Sequence, residues 1–237
     1  MREYLLYTQI PAAREEQVLS ILAGLSGNQP TPINEHVVLY AQQKAQEAAV
    51  SKKQSQNKPS AVAQPLLNYR LSRDFDVEDE APSNVQPWTF RAESVPDSGL
   101  SGYIARSVTE HPATSDELAR MKQPQLYQFK RQYVQTGNRF VRDNVIVKIL
   151  RYYSHHGQMP QDPIDAAPVV ASKLKLVDGS GTWLIEVTIR VEDGADTDLN
   201  DKAIKELMSF QSSVTGALDL IAPDRLALDT RVKHVAV

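Results

Sequence analysis

Two places in this chain hold residue types that could do chemistry. The first is His155-His156, the one adjacent pair among five histidines, with Asp162 and Asp165 following. Neighbouring strand residues point to opposite faces, so both imidazoles could meet one metal ion only in a loop, and the spacing fits no recognised ligand pattern. The second is a strand face shared by Glu186, Arg190 and Glu192, near the basic residues Arg131, Arg139, Arg142, Lys148 and Arg151. Alternating glutamates can hold a metal inside an antiparallel barrel while basic residues hold phosphate, which is polyphosphate hydrolysis. That chemistry calls for an E-x-E run on a strand, and the one such spacing, Glu78-Asp79-Glu80, falls in an acidic loop. The default assignment for these charges is a solvated strand face.

Other active-site motifs are missing. No GxxxxGK[ST] or GxGxxG occurs. Gly99-Leu100-Ser101-Gly102 resembles a nucleophile elbow, but Tyr103 stands where that motif needs its second glycine, so a turn is expected. The expectation is therefore no catalytic residue, no metal site and no bound cofactor. A tunnel-type metal-dependent polyphosphate or RNA triphosphatase is the alternative. The barrel lining separates the two, because several inward carboxylates around one point would favour the enzyme.

The elements that position these residues follow from periodicity. The central stretch, residues 126–153, alternates aromatic or aliphatic residues with basic and polar ones, the pattern of half-buried strands. Tyr127, Phe129 and Tyr133 are expected on one face. Thr136-Gly137-Asn138 reads as a turn, and Asp143-Asn144 as a second turn or bulge. Trp183, Ile185, Val187, Ile189 and Val191 form one face of the cleanest strand. Further strands are expected at 3–10, 35–41, 66–71, 88–94 and 103–109, with a break at Pro30–Pro32. A helix over 12–26 carries the stripe Val18, Ile21, Leu22, Leu25, and a second over 200–215, capped by Asn200, carries Ile204, Leu207, Met208, Gln211, Val214. A short helix at 115–121 has Ser115 as its cap.

Two end helices around a run of strands predict an α+β fold: one antiparallel β-barrel of about eight strands, shaped like the triphosphate-tunnel barrels, with flanking helices. The 237 residues read as a single domain. A low-complexity insertion of Gln, Lys, Ala and Ser occupies about 42–64, and loops occupy about 72–87 and 154–173.

Composition narrows the function. The chain has no cysteine, which removes disulfides and thiolate metal sites. Its net charge of −3 provides no general attraction to nucleic acid or anionic membranes. No apolar run approaches the ~20 residues of a membrane helix. A soluble, intracellular protein without sequence-specific nucleic-acid binding is expected.

Several blocks, in order along the chain, resemble the Mediator subunit 18 family, especially its fungal members. They are EYLLYTQIP, QVLSILAGLSG and HVVLY near the N-terminus, WTFR from Trp88, TGNRFVRDNVIVKILRYY from Thr136, WLIEV from Trp183 and LDLIAPDRL from Leu218. The terminal DTRVKHVAV extends past the resemblance. The resemblance implies a non-enzymatic, nuclear subunit of the Mediator head module, a coactivator of RNA polymerase II transcription. It implies pairing with the similar barrel of Mediator subunit 20, capture of a C-terminal helix of Mediator subunit 8, contact with other head-module subunits, and an indirect link to the polymerase. Interface energy concentrates on aromatic residues and arginine, so the expected partner-binding residues are Tyr127, Phe129, Tyr133, Phe140, Arg142, Tyr152 and Tyr153.

Overall fold

The structure is a computed structural model that describes residues 1–42, 67–74, 86–99, 102–155, 163–165 and 174–228. The insertion after Gln42, the acidic run from residue 75, Leu100 and Ser101, His156, Asp162, most of the 154–173 loop and the C-terminal extension lie outside the described residues.

Among the described residues there are nine strands and three α-helices. In chain order they are β1 (Arg2–Ile10), α1 (Glu15–Ser26), β2 (Thr31–Gln42), β3 (Leu67–Asp74), β4 (Thr89–Ser94), β5 (Ile104–Pro112), α2 (Ser115–Met121), β6 (Tyr127–Arg142), β7 (Val145–His155), β8 (Leu174–Leu176), β9 (Trp183–Val191) and α3 (Thr197–Val214). Eight strands close in the order β6-β2-β3-β4-β5-β1-β9-β7 and back to β6, and β8 extends the edge of β7. Every pairing is antiparallel. Closure removes the free edges that a sheet of this size would otherwise leave.

The largest apolar core lies outside the barrel wall. Tyr4 and Leu6 of β1, Val145, Val147 and Ile149 of β7, and the alternate residues Trp183, Ile185, Val187, Ile189 and Val191 of β9 face outward and meet Val18 and Leu22 of α1 and Ala203, Leu207, Phe210 and Val214 of α3. Both end helices thus pack an apolar stripe on the barrel, but on α3 it runs through Ala203, Leu207, Phe210 and Val214 with Ile204 at its margin, and the expected Met208 and Gln211 lie beside it. Helix α3 starts earlier than Asn200. Asp196 is its cap, accepting from the Asp198 and Leu199 amides, while Asn200 donates to the Gly194 carbonyl. Thr114, not Ser115, caps α2, in a reciprocal box with Glu117. Aspartate and threonine carry the acceptor that an orphan first-turn amide needs, and several such residues in a row leave the choice to tertiary geometry.

Residues 136–138 make no turn. Strand β6 runs unbroken for 16 residues, and Gly137 sits inside it. A Cβ at Gly137 would lie 1.8 Å from the Ile149 carbonyl oxygen, so glycine is there for close backbone approach. The chain reverses at Asp143-Asn144, with Asp143 in the left-handed region at φ 53°. Pro32 lies within β2 near its start, where a missing N–H is tolerated.

A bulge changes the phase of β6. Tyr40 faces Phe129 but Leu39 faces Arg131, leaving Lys130 as the extra residue. Strand side chains alternate with period 2, so one inserted residue exchanges the two faces. Tyr127 and Phe129 point outward, while Tyr133 turns into the barrel, contrary to their expected common face.

Candidate functional site

The charged strand faces point into the barrel, not to solvent as expected. The alternation on each strand identifies a polar face, and closure turns that face inward because the helices need the apolar one. Glu3 of β1, Arg91 and Glu93 of β4, Arg106 and Glu110 of β5, and Arg190 of β9 converge in the lumen. Arg91 donates to Glu3 at 2.7 Å and to Glu110 at 2.6 Å, and it also engages Glu93. Arg106 donates to Glu3 at 2.8 Å and to Glu93 at 2.6 Å. Arg190 donates to Glu3 at 3.2 Å and to Glu110 at 3.0 Å. Three arginines and three glutamates form a neutral, interleaved network in which Glu3, 1 % exposed, contacts all three guanidiniums.

The electrostatics follow from this geometry. Burial by itself would raise the Glu3 carboxyl, but Arg91, Arg106 and Arg190 outweigh it and hold the group at about 2. Burial likewise works against ionisation of Glu93, and Arg106 and Arg91 overcome it. Glu110 is held low, against its own burial, by the Arg91 hydrogen bond and the Arg190 charge. Further along the lumen, Glu35 accepts from Arg70 at 2.8 Å and from Gln135 at 2.7 Å. Glu186 accepts from the Tyr7 hydroxyl at 3.2 Å. Burial pushes the Tyr133 and Tyr152 phenols up, and the two rings meet edge to face at 5.5 Å inside the barrel.

Inward carboxylates therefore do converge, yet guanidiniums lie between them. A metal site needs oxygen ligands whose charge is not already neutralised. Among the described residues no group of three His, Asp or Glu side chains is arranged to hold a metal. Glu186 and Arg190 share the lumen face, whereas Glu192 lies beyond the end of β9 and is exposed. His155 ends β7, and Asp165 pairs with Lys122.

The residues expected to bind a partner fall into separate places. Phe140, 2 % exposed, belongs to the core shared with α1 and α3. Tyr133 and Tyr152 are lumen residues. Tyr153 packs on Val134 and Leu174 on the outer wall. Arg142 lines a shallow depression against α3 with Glu206 and Phe210. Tyr127 and Phe129 belong to an outer cluster on β2, β3, β4 and the start of β6. There Tyr69 meets Tyr127 at 5.0 Å and Phe90 at 6.0 Å, and Tyr40 meets Phe129 at 6.0 Å. Met121 and Leu118 of α2 cover part of this cluster, leaving Phe90, Tyr127 and Phe129 half-buried. Beside it Arg73 stacks over Trp88 at 4.4 Å.

The lumen network was not assembled from the sequence. Its signal was there in part: Arg91-x-Glu93 and Arg106-x-x-x-Glu110 place opposite charges on the same face of adjacent strands.

Comparison with known proteins adds a family. The family model described as Med18 protein matches residues 2–231. The chain is 24% identical to Mediator of RNA polymerase II transcription subunit 18 of Yarrowia lipolytica, over 98% of this chain and all of that protein. It is 25% identical to the protein of the same name from Aspergillus niger, with the same coverage. A chain in the structure of the Schizosaccharomyces pombe Mediator head module superposes with a TM-score of 0.70 at 18% identity, covering 94% of this chain and 98% of that one.

Proposed function

This chain belongs to the Mediator subunit 18 family, and from that premise we propose that it is a non-enzymatic scaffold subunit of the Mediator head module, acting in the nucleus as part of a coactivator of RNA polymerase II transcription. The observation that carries the reading is the end-to-end match to relatives bearing that name. The lumen supports the non-enzymatic part, because Glu3, Glu93 and Glu110 are each engaged by arginine rather than turned toward a shared vacant point. We further propose that the partners are the barrel of Mediator subunit 20 and a C-terminal helix of Mediator subunit 8, with other head-module subunits around them.

We place the partner contact on the outer aromatic cluster, around Tyr127 and Phe129. Half-buried aromatic rings beside arginine are the chemistry that dominates interface energy. Arg142 and Tyr153 extend the same outer wall, whereas Tyr133, Phe140 and Tyr152 point into interior space and would act only by supporting it. Co-purification of the full chain with Mediator subunits 20 and 8 tests this. Tyr127→Ala with Phe129→Ala should weaken capture by about 2 kcal/mol or more, roughly thirtyfold, with circular dichroism unchanged. Undiminished capture by that variant would move the interface elsewhere, and failure of the intact chain to capture either subunit would overturn the partner assignment.

A further inference from the structure

The barrel encloses a cavity of about 210 Å³ whose charge the neutral network does not explain. Six cationic side chains line it against three carboxylates, in a chain whose net charge is −3. Arg91, Arg106 and Arg190 are satisfied by Glu3, Glu93 and Glu110. With Arg70 paired to Glu35, Arg139 of β6 and Lys148 of β7 remain against the single carboxylate of Glu186, an excess of one positive charge.

Those two residues stand directly opposite each other in the β6–β7 ladder, and both line the cavity. Like charges at directly opposed positions destabilise a sheet. One carboxylate stands against the two cations: Lys148 makes a long ion pair with Glu186 at 3.9 Å, beyond hydrogen-bond distance, and the other Glu186 oxygen accepts from the neutral Tyr7 hydroxyl. Arg139 has no ion pair among the described residues. Two more donors are left over around the lumen: the buried Nε of the cavity residue Arg70 on β3, and the buried hydroxyl of Thr188 on β9, which is paired in register with the cavity residue Ile146. A buried donor without an acceptor is costly and calls for one.

We propose that this cavity binds a small phosphate-class oxyanion, held between Arg139 and Lys148 with Arg70 completing the site. A multiply charged oxyanion can answer both cations at once and offers several acceptors to the remaining N–H and O–H groups. A single carboxylate would neutralise only one of the pair, and a cavity of this size excludes a nucleic-acid strand.

The test uses the purified full chain with inorganic phosphate and pyrophosphate as probes, at constant ionic strength set by chloride. Calorimetry should show saturable binding of at least one probe, and the melting temperature should rise with its concentration. Arg139→Gln with Lys148→Gln should reduce affinity at least tenfold, and in chloride alone this variant should melt at or above the parent because the cross-strand repulsion is gone. Lys148→Met alone provides a second check and should also bind at least tenfold more weakly. Lys202→Gln, on the exposed face of α3, should bind as the parent does. No saturable binding of either probe to the parent, or equal binding by the lumen variants, overturns the proposal.

Discussion

Glu3 is the residue on which the barrel interior turns. One carboxylate 1 % exposed holds three guanidiniums from three other strands, so its removal leaves buried positive charge unanswered. Breaking a buried ion pair from one side costs about 3–5 kcal/mol. Glu3→Gln should therefore lower the melting temperature at pH 7 by about 10 °C, on the scale of 2–4 °C per kcal/mol for a chain of this size. The pH dependence has a definite sign. A carboxyl held at about 2 instead of 4.5 contributes stability on the order of 3 kcal/mol. That contribution is complete above the unfolded value, near pH 4.5, and is lost as the pH falls through the folded value near 2. The difference between parent and Glu3→Gln should stay constant from pH 8 to pH 5 and close only as pH 2 is approached. Denaturant titrations across that range measure it, and a gap that closes already at pH 4 would mean that the arginines do not hold Glu3 as described.

Strand β6 is the element where one residue has the most consequence. Lys130, the extra residue of its bulge, separates a half whose odd-numbered residues face out from a half whose odd-numbered residues face in. With the bulge, Tyr133 and Gln135 join the lumen while Val134 and Phe140 join outer apolar clusters. Deleting Lys130 would force one half of the strand to present the wrong face, either burying charge among apolar side chains or exposing Phe140. The deletion should give an insoluble or partly unfolded product, whereas Lys130→Ala, which keeps the residue count, should lower stability by less than about 0.5 kcal/mol because the side chain is exposed. Equal behaviour of the two variants would show that register is set elsewhere.

For the whole molecule, closure makes the N-terminal strand indispensable. β1 lies between β5 and β9, supplies Glu3 to the lumen, and supplies Tyr4 and Leu6 to the core under the helices. Terminal segments tolerate removal only when they are unpaired and exposed, and β1 is neither. Removing residues 1–10 should abolish the folded state altogether, seen as loss of the cooperative transition by circular dichroism and tryptophan fluorescence. A truncated chain that still melts cooperatively would show that the remaining strands close without β1.

Much of this protein was written in local pattern. The strand of Trp183–Val191, the stripes of both long helices, the reversal at Asp143-Asn144 and the antiparallel barrel all follow from period 2, period 3.6 and turn chemistry, which act over a few residues. Family blocks spread along the chain were legible too. What the alternation could not say is which face lies inside. In a single sheet the polar face meets water, but a closed barrel with helices on its outside sends that face into the lumen. Gly137 read as a turn because a glycine required by a close approach to Ile149 looks the same in sequence as one required by a bend. The network depended wholly on tertiary structure, since Glu3 and Arg190 meet across 187 positions of chain. Pairing at that separation is decided by strand order and register, and a one-residue bulge at Lys130 is enough to change it, because each slip of one residue moves every side chain to the opposite face.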